Sequence, residues 1–243
     1  MVDTRLSRTS ALPAVRRPVF AVSFGAGGLG AGGADPWQQH VVAITLEAGL
    51  APAVDALEIE LAADAQAPTV AVGDGGSVSL GYADDGPAVV FTGAVERVAR
   101  GLHGTTRVVA VNGGAALSRL RLNQSYDGRA AGEIVRDLAG RVDVATGSVE
   151  DGADLPFYIV DDRRTAYQHV AALARASGCL AYLTPAGELA FAPFAAEEPV
   201  QTFTYGVDIL ALELAEANPL VGAATVVGEG AAGGQGQDAW SWL

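Results

Sequence analysis

The chain has no lysine: all 15 of its basic residues are arginine. That absence excludes P-loop, Schiff-base and general-base lysine chemistry together. Cysteine is nearly missing too. Cys179 stands alone, so no disulfide within the chain braces the fold. No apolar run approaches the ~20 residues that a membrane-spanning helix needs. Basic charge is scarce beside 28 acidic residues. The resulting net charge of −13 repels phosphate backbones and argues against nucleic-acid binding as the main job. The three histidines, His40, His103 and His169, share no spacing that suits a metal. Arg5, Arg8, Arg16 and Arg17 lie near the N-terminus, but no apolar segment follows them, and Pro13 and Pro18 interrupt the stretch. Residues 1–17 therefore read as a flexible arm and not as a signal peptide.

Apolar residues are plentiful. Half of the 243 residues are hydrophobic and only 18% are charged, so a packed core is expected, in one large domain or two ordinary ones. The 31 glycines, with few polar helical runs, favour short strands joined by turns.

Strands are expected from Pro18 to Phe24, from His40 to Glu47 and from Ala56 to Leu61. In the last, Leu57, Ile59 and Leu61 face one way and Glu58 and Glu60 the other, the mark of a half-buried strand. Between the first two, Gly25 to Pro36 reads as a glycine-dense loop. From Gly73 to Gly113, Val78 and Leu80 alternate with serines, and Asp84-Asp85-Gly86-Pro87 makes a turn. A strand returns through Val89 to Phe91, with a bend or bulge at Thr92-Gly93, and runs on to Arg100. Another follows from Arg107 to Val111. Short strands at this spacing predict an antiparallel barrel or sandwich over 18–113.

The pattern then changes. Ala131, Ile134, Val135, Leu138 and Val142 form one stripe of a helix from Ala130 to Val142, with Gly147 beyond its end. A strand from Phe157 to Val160 follows. Asp161 or Asp162 is the expected cap of a second helix, Arg163 to Ser177, closed by Gly178, with Ala166, Tyr167, Val170, Ala171 and Ala174 buried. Cys179 to Thr184 and Glu188 to Ala192 make a hairpin. Residues 114–195 thus read as a small α+β module. Strands are expected again at Gln201–Tyr205, Ile209–Leu214 and Val221–Val227, ahead of Trp240 and Trp242. Three strands are too few to close a barrel alone.

Several patterns look chemical. Gly25-Ala26-Gly27-Gly28-Leu29-Gly30 fits a dinucleotide fingerprint, with Glu47 near the place of a ribose-binding acid. That reading needs a helix opening at the third glycine. Gly32, Gly33 and Pro36 break it, and no parallel βαβ unit follows. A thiol nucleophile with a base would need Cys179 and His169 together, but the first starts a strand and the second lies on a helix. Asp84-Asp85 and Asp161-Asp162 read as turn and cap residues before acid–base pairs or calcium ligands. No catalytic, cofactor or metal residue is assigned.

The segment from Val78 to Val95, VSLGYADDGPAVVFTGAV, resembles the late control D family of phage tail hub proteins. That family includes the hub domains of valine-glycine-repeat spike proteins and of contractile injection systems. Its structural motif falls on Leu80, Gly81, Tyr82, Phe91, Thr92 and Gly93. The likeness continues through Ala116–Arg121, Asn123–Tyr126, Ala131–Leu138, Phe157–Arg164 and Gly187–Phe191, and covers most of 40–230. One departure is Ala130, where the helix often starts with a Thr or Ser cap, so capping must come from elsewhere. The other is length, because the family's second tube-like barrel is represented only by its opening strands, in 196–243.

The resemblance implies an α+β, β-rich fold: a tube-like antiparallel β-barrel domain, an inserted small α+β module, and a partial or second β-barrel. It implies a baseplate hub subunit, a homotrimer that adapts the six-fold inner tube to the three-fold spike. Its partners would be the inner tube protein, the spike protein and other baseplate components, with no cofactor, no nucleic acid binding and no membrane insertion. Assembly in the bacterial cytoplasm into a phage tail or injection particle follows from the same likeness. Alternatives are a single-barrel tail tube or tube-initiator adaptor protein, and an enzyme using the glycine loop.

Overall fold

A computed structural model of the chain describes residues 16–25, 35–62, 64, 66–101, 104–194, 203–213, 215 and 223. Residues 1–15, the glycines between 26 and 34, His103, nearly all of the strand expected at 221–227, Trp240 and Trp242 lie outside the described residues. Among those described, no helix is long and apolar enough to cross a membrane.

Six strands make the first sheet: β1 (Pro18–Phe24), β2 (Val41–Glu47), β3 (Ala56–Ala62), β4 (Gly75–Tyr82), β5 (Gly86–Arg100) and β6 (Thr105–Val111). Their spatial order is β1-β4-β5-β6-β3-β2, antiparallel throughout, and the sheet curls into a half-barrel. The fold is therefore α+β and β-rich. Period-two alternation builds the concave core. Leu57, Ile59 and Leu61 are fully covered, and they pack with Val22, Phe24, Val78, Phe91, Val95 and Val108. Each such side chain contributes about 1.5–3 kcal/mol on burial. On the outer face, Glu58 of β3 pairs with Arg107 of β6 at 3.1 Å.

Two local expectations change. The bend placed at Thr92-Gly93 is not there: Thr92 pairs with Ser77 and Gly93 with Gly76 in regular register. The extra residues are Val90, between the Phe91 and Val89 pairs, and Glu96, between Val95 and Arg97. Gly93 serves close packing instead. A Cβ there would lie 2.4 Å from the Val111 carbonyl oxygen. The strand expected from His40 starts one residue later, after a short helix α1 (Pro36–His40). Pro36 does not break this helix. It occupies the first turn, where a missing N–H does no harm, behind the Asp35 cap, whose carboxylate accepts the Trp37 N–H at 3.0 Å.

The second half contains α2 (Gly114–Arg119), β7 (Gln124–Ala130), α3 (Ala131–Gly140), β8 (Thr146–Val149), β9 (Asp154–Val160), α4 (Ala166–Ala176), β10 (Cys179–Leu183) and β11 (Leu189–Pro193). β7 and β9 form a ribbon, and β10-β11-β8 a small sheet in which β8 runs parallel to β11. The helical stripes pack between them around Ile134, Val135, Leu138, Tyr167, Val170, Leu173, Leu189 and Phe191.

The start of α3 lacks a capping side chain at Ala130, and its N–H groups are met by other means. Glu133 reaches back to the Ala130 N–H at 3.1 Å, while Ala131 and Gly132 donate to the carbonyls of Ala153 and Asp151. That loop runs so close that a Cβ on Gly132 would lie 2.0 Å from the Glu150 carbonyl oxygen. The helix ends earlier than expected, at Gly140. Asp143 makes the turn at φ 55°, and Gly147 lies within β8. α4 is likewise shorter. Thr165 caps it, accepting from the Gln168 N–H while Gln168 accepts from the Thr165 N–H. Asp161 instead accepts from Arg163 N–H in the preceding turn.

A buried polar chain joins the halves. Asp55 accepts from Gly49 N–H at 2.8 Å and from the Asn112 side-chain amide at 2.7 Å; Asn112 accepts from Gly114 N–H at the start of α2. Ala51 N–H donates to Ala181 O in β10 at 2.8 Å.

The strands expected at Gln201–Tyr205 and Ile209–Leu214 are not found among the described residues. Residues 203–213 hold one bridge, Tyr205 to Ile209. The Thr204 carbonyl accepts from Val207, Asp208 and Ile209, so the segment closes a tight local turn instead of joining a sheet. Tyr205, Val207 and Leu210 stay exposed, with no packed face to drive pairing.

Candidate assembly surface

The half-barrel leaves a seam. β1 and β2 are the two edges of the sheet, and they do not pair. Along β1 and β4 the register puts Val22 opposite Val78 and Phe20 opposite Leu80. The first pair is buried. The second continues the same apolar face into an open groove of about 620 Å³. Pro18, Phe20, Val41, Ile44, Leu80 and Tyr82 line it. Val42, also in its wall, is 61% exposed.

One end of the seam is filled by α1. Trp37 is fully buried, its ring 6.3 Å from that of Phe24. Gln38 donates its side-chain amide to Phe20 O at 3.0 Å, in the place of a strand hydrogen bond. Pro18 opens β1, where its missing N–H leaves no ladder bond unmade. Among the described residues, the edges are thus partly blunted but not covered.

The motif residues fall into two groups. Leu80, Gly81 and Tyr82 end β4 at the groove. Gly81 fits because a Cβ would lie 2.3 Å from the Gly86 carbonyl oxygen, and Arg16 stacks over Tyr82 at 5.4 Å while pairing with Asp85 at 3.0 Å. Phe91 is buried in the half-barrel core, with Thr92 and Gly93 following it in β5. Gly187, in the β10–β11 turn, packs against Thr92: a Cβ there would sit 3.6 Å from the Thr92 Cβ.

The chemical-looking residues take structural partners. His169 is buried, with one ring nitrogen 3.1 Å from the Tyr158 hydroxyl and the other 3.2 Å from Asp161 O. Burial, aided by Glu150, pushes the Cys179 thiol up, away from the thiolate, and its Sγ lies 3.6 Å from Ser177 O. Neither residue partners the other. Among the described residues, no group of His, Cys, Asp and Glu is placed to hold a metal. The glycine loop after Gly25 lies outside them.

Sequence reasoning missed Gln38 and Val42 at the seam. The readable signal was Asp35-Pro36, a cap followed by proline at the first helical position.

An antiparallel half-barrel carrying a small α+β module defines the class of fold. The fold is similar to that of a tail protein from Neisseria meningitidis MC58, with TM-score 0.56 and 16% identity, over 74% of this chain and 52% of that one. Weaker likenesses are to the 43 kDa tail protein of prophage MuSo2 from Shewanella oneidensis (TM-score 0.47, 14% identity, 61% of this chain and 54% of that one) and to an E. coli component of the type VI secretion system (TM-score 0.38, 13% identity, 62% and 47%). The chain spans about half the length of the first two. No family model and no curated protein matches the chain.

Proposed function

We propose that the chain is a structural subunit of a phage tail or contractile injection particle, at the hub of its baseplate. The observation that carries this reading is the curled antiparallel sheet, shared in fold with the Neisseria tail protein and left open along an apolar seam. Three copies form a ring below the inner tube and adapt its six-fold symmetry to a three-fold spike. Edge pairing and broad burial supply the association, and no step requires a catalytic residue. The partners are two further copies, the inner tube protein, the spike protein and other baseplate components. Subunits gather in the bacterial cytoplasm before joining the particle.

A second reading, a single-barrel tube or tube-initiator adaptor, is favoured by one observation: the described residues hold one curled sheet. Native mass measurement and microscopy of particles separate the two. Three copies at the tube–spike junction support the hub, whereas six copies in a ring support the tube or adaptor. A strict monomer that associates with neither tube nor spike protein sinks both, and tight nucleotide binding at the glycine loop returns the enzyme.

A further inference from the structure

Six of the thirteen described arginines pair with a carboxylate. Arg16, Arg107, Arg119, Arg129, Arg136 and Arg141 each pair with an Asp or Glu. Arg163, Arg164 and Arg175 make no ion pair among the described residues, and all three line one cavity of about 600 Å³ on the flank of α4. Among the described residues, no acidic side chain lines it. On a chain of net charge −13 this is a local inversion of sign. Gathering guanidiniums around one hollow is unfavourable by itself, and an anion relieves it through charge-assisted hydrogen bonds.

The site is held in place. The loop carrying Arg163 is fixed from both sides: its N–H donates to Asp161, and its carbonyl accepts from Arg121 at 2.8 Å. Arg175 donates Nε to Ala171 O at 3.3 Å, and its other guanidinium donors have no partner among the described residues. Gln168 adds an amide, and Leu50, Pro52 and Leu180 form an apolar lip.

The wall also says what does not bind. β10 is the edge of its sheet, but Ala51 N–H already takes Ala181 O at its middle, so an added strand has no continuous edge to follow. A cavity of this size suits side chains with carboxylate tips and an apolar neighbour.

We propose that this cavity docks an acidic segment of another protein, with its carboxylates held by Arg163, Arg164 and Arg175. The proposal goes beyond the tail reading and does not depend on it.

The test is an NMR titration of the full chain with the peptide acetyl-Glu-Leu-Glu-Glu-amide, its glutamine analogue, and inorganic phosphate. The glutamate peptide is expected to give saturable shifts at the Arg163, Arg164, Gln168 and Arg175 signals that weaken with added salt. Affinity should fall roughly tenfold for R163Q/R164Q, and again for R175Q alone, with unchanged circular dichroism. Equal binding of the glutamine analogue, absence of saturable shifts, or binding unaffected by the substitutions overturns the proposal. Phosphate that fills the site while the peptide fails to displace it also overturns it, assigning the cavity to a small oxyanion.

Discussion

The two halves of the molecule treat their strand edges differently. In the α+β half, neighbouring segments cover free backbone groups: the 150–153 loop closes the start of α3, and Ala51 bonds the middle of the β10 edge. In the half-barrel, the described parts of β1 and β2 flank an apolar groove without pairing, and the Gln38 side chain of α1 bonds the β1 edge. Both halves have full cores, so the seam is not a shortage of hydrophobic residues. The difference teaches that the half-barrel packs its inner face fully, while no described residue covers its two lateral edges.

The sharpest way to break the comparison is at Gly132. Alanine normally improves a helix by about 1 kcal/mol over glycine. Here the sign should reverse, because the new Cβ would meet the Glu150 carbonyl at 2.0 Å. Gly132→Ala is expected to lose about 3 kcal/mol or more in urea unfolding. A neutral or stabilised variant would show that the loop does not close that helix.

Next in size is a paired core test. Leu57→Ala in the half-barrel and Leu138→Ala in the module should each cost about 3 kcal/mol. If the Asp55 chain joins the halves, both variants unfold in one transition by calorimetry. Two separated transitions in either variant would make the halves independent.

Asp55→Ala strands the Asn112 amide and Gly49 N–H, and about 2 kcal/mol should be lost. Its pH behaviour contrasts with that of Asp137. Burial holds the Asp55 carboxyl above its ordinary value, against the bonds from Gly49 and Asn112. The folded chain therefore binds that proton more tightly than the unfolded one. Its contribution to stability rises as pH falls from the folded value toward the unfolded value of about 3.9. At Asp137 burial pushes upward too, but the hydrogen bonds from Tyr126 and Arg141 outweigh it and hold the carboxyl low. Stability from Asp137 is present above its unfolded value and is lost as pH falls through the folded one. Asp55→Asn and Asp137→Asn should tilt the acid limb of a stability–pH curve in opposite directions. Shifts of the same sign would contradict the assignment.

The smallest effect on folding should come from the seam itself. Val42→Arg is expected to change stability by no more than about 0.5 kcal/mol, since that side chain is exposed. The same variant should lose assembly in native mass measurement. Intact assembly would remove the seam from the interface.

Much of this fold was legible. The alternation of Leu57, Ile59 and Leu61 with two glutamates marks β3 because only one face is buried. The stripes of α3 and α4 carry the same kind of signal at helical period. β7 left no trace: QSYDGRA has neither apolar alternation nor β-branched residues, and its pairing with β9 is decided by tertiary contact. β8 is four residues long and parallel, so its partner lies far along the chain. The α4 cap was misplaced because two aspartates precede Thr165, although Gln168 three residues on was the discriminating sign. Neither the seam nor the arginine cavity was readable. The first depends on strand order, and the second brings residues 50–52 against 163–181.

The Gln38 amide on Phe20 O has a consequence for the edge of the sheet. An exposed strand edge offers unpaired backbone groups to any other strand. A side chain on the Phe20 acceptor, beside a proline that offers no donor, leaves the β1 edge fewer free backbone groups for an unrelated strand to pair with.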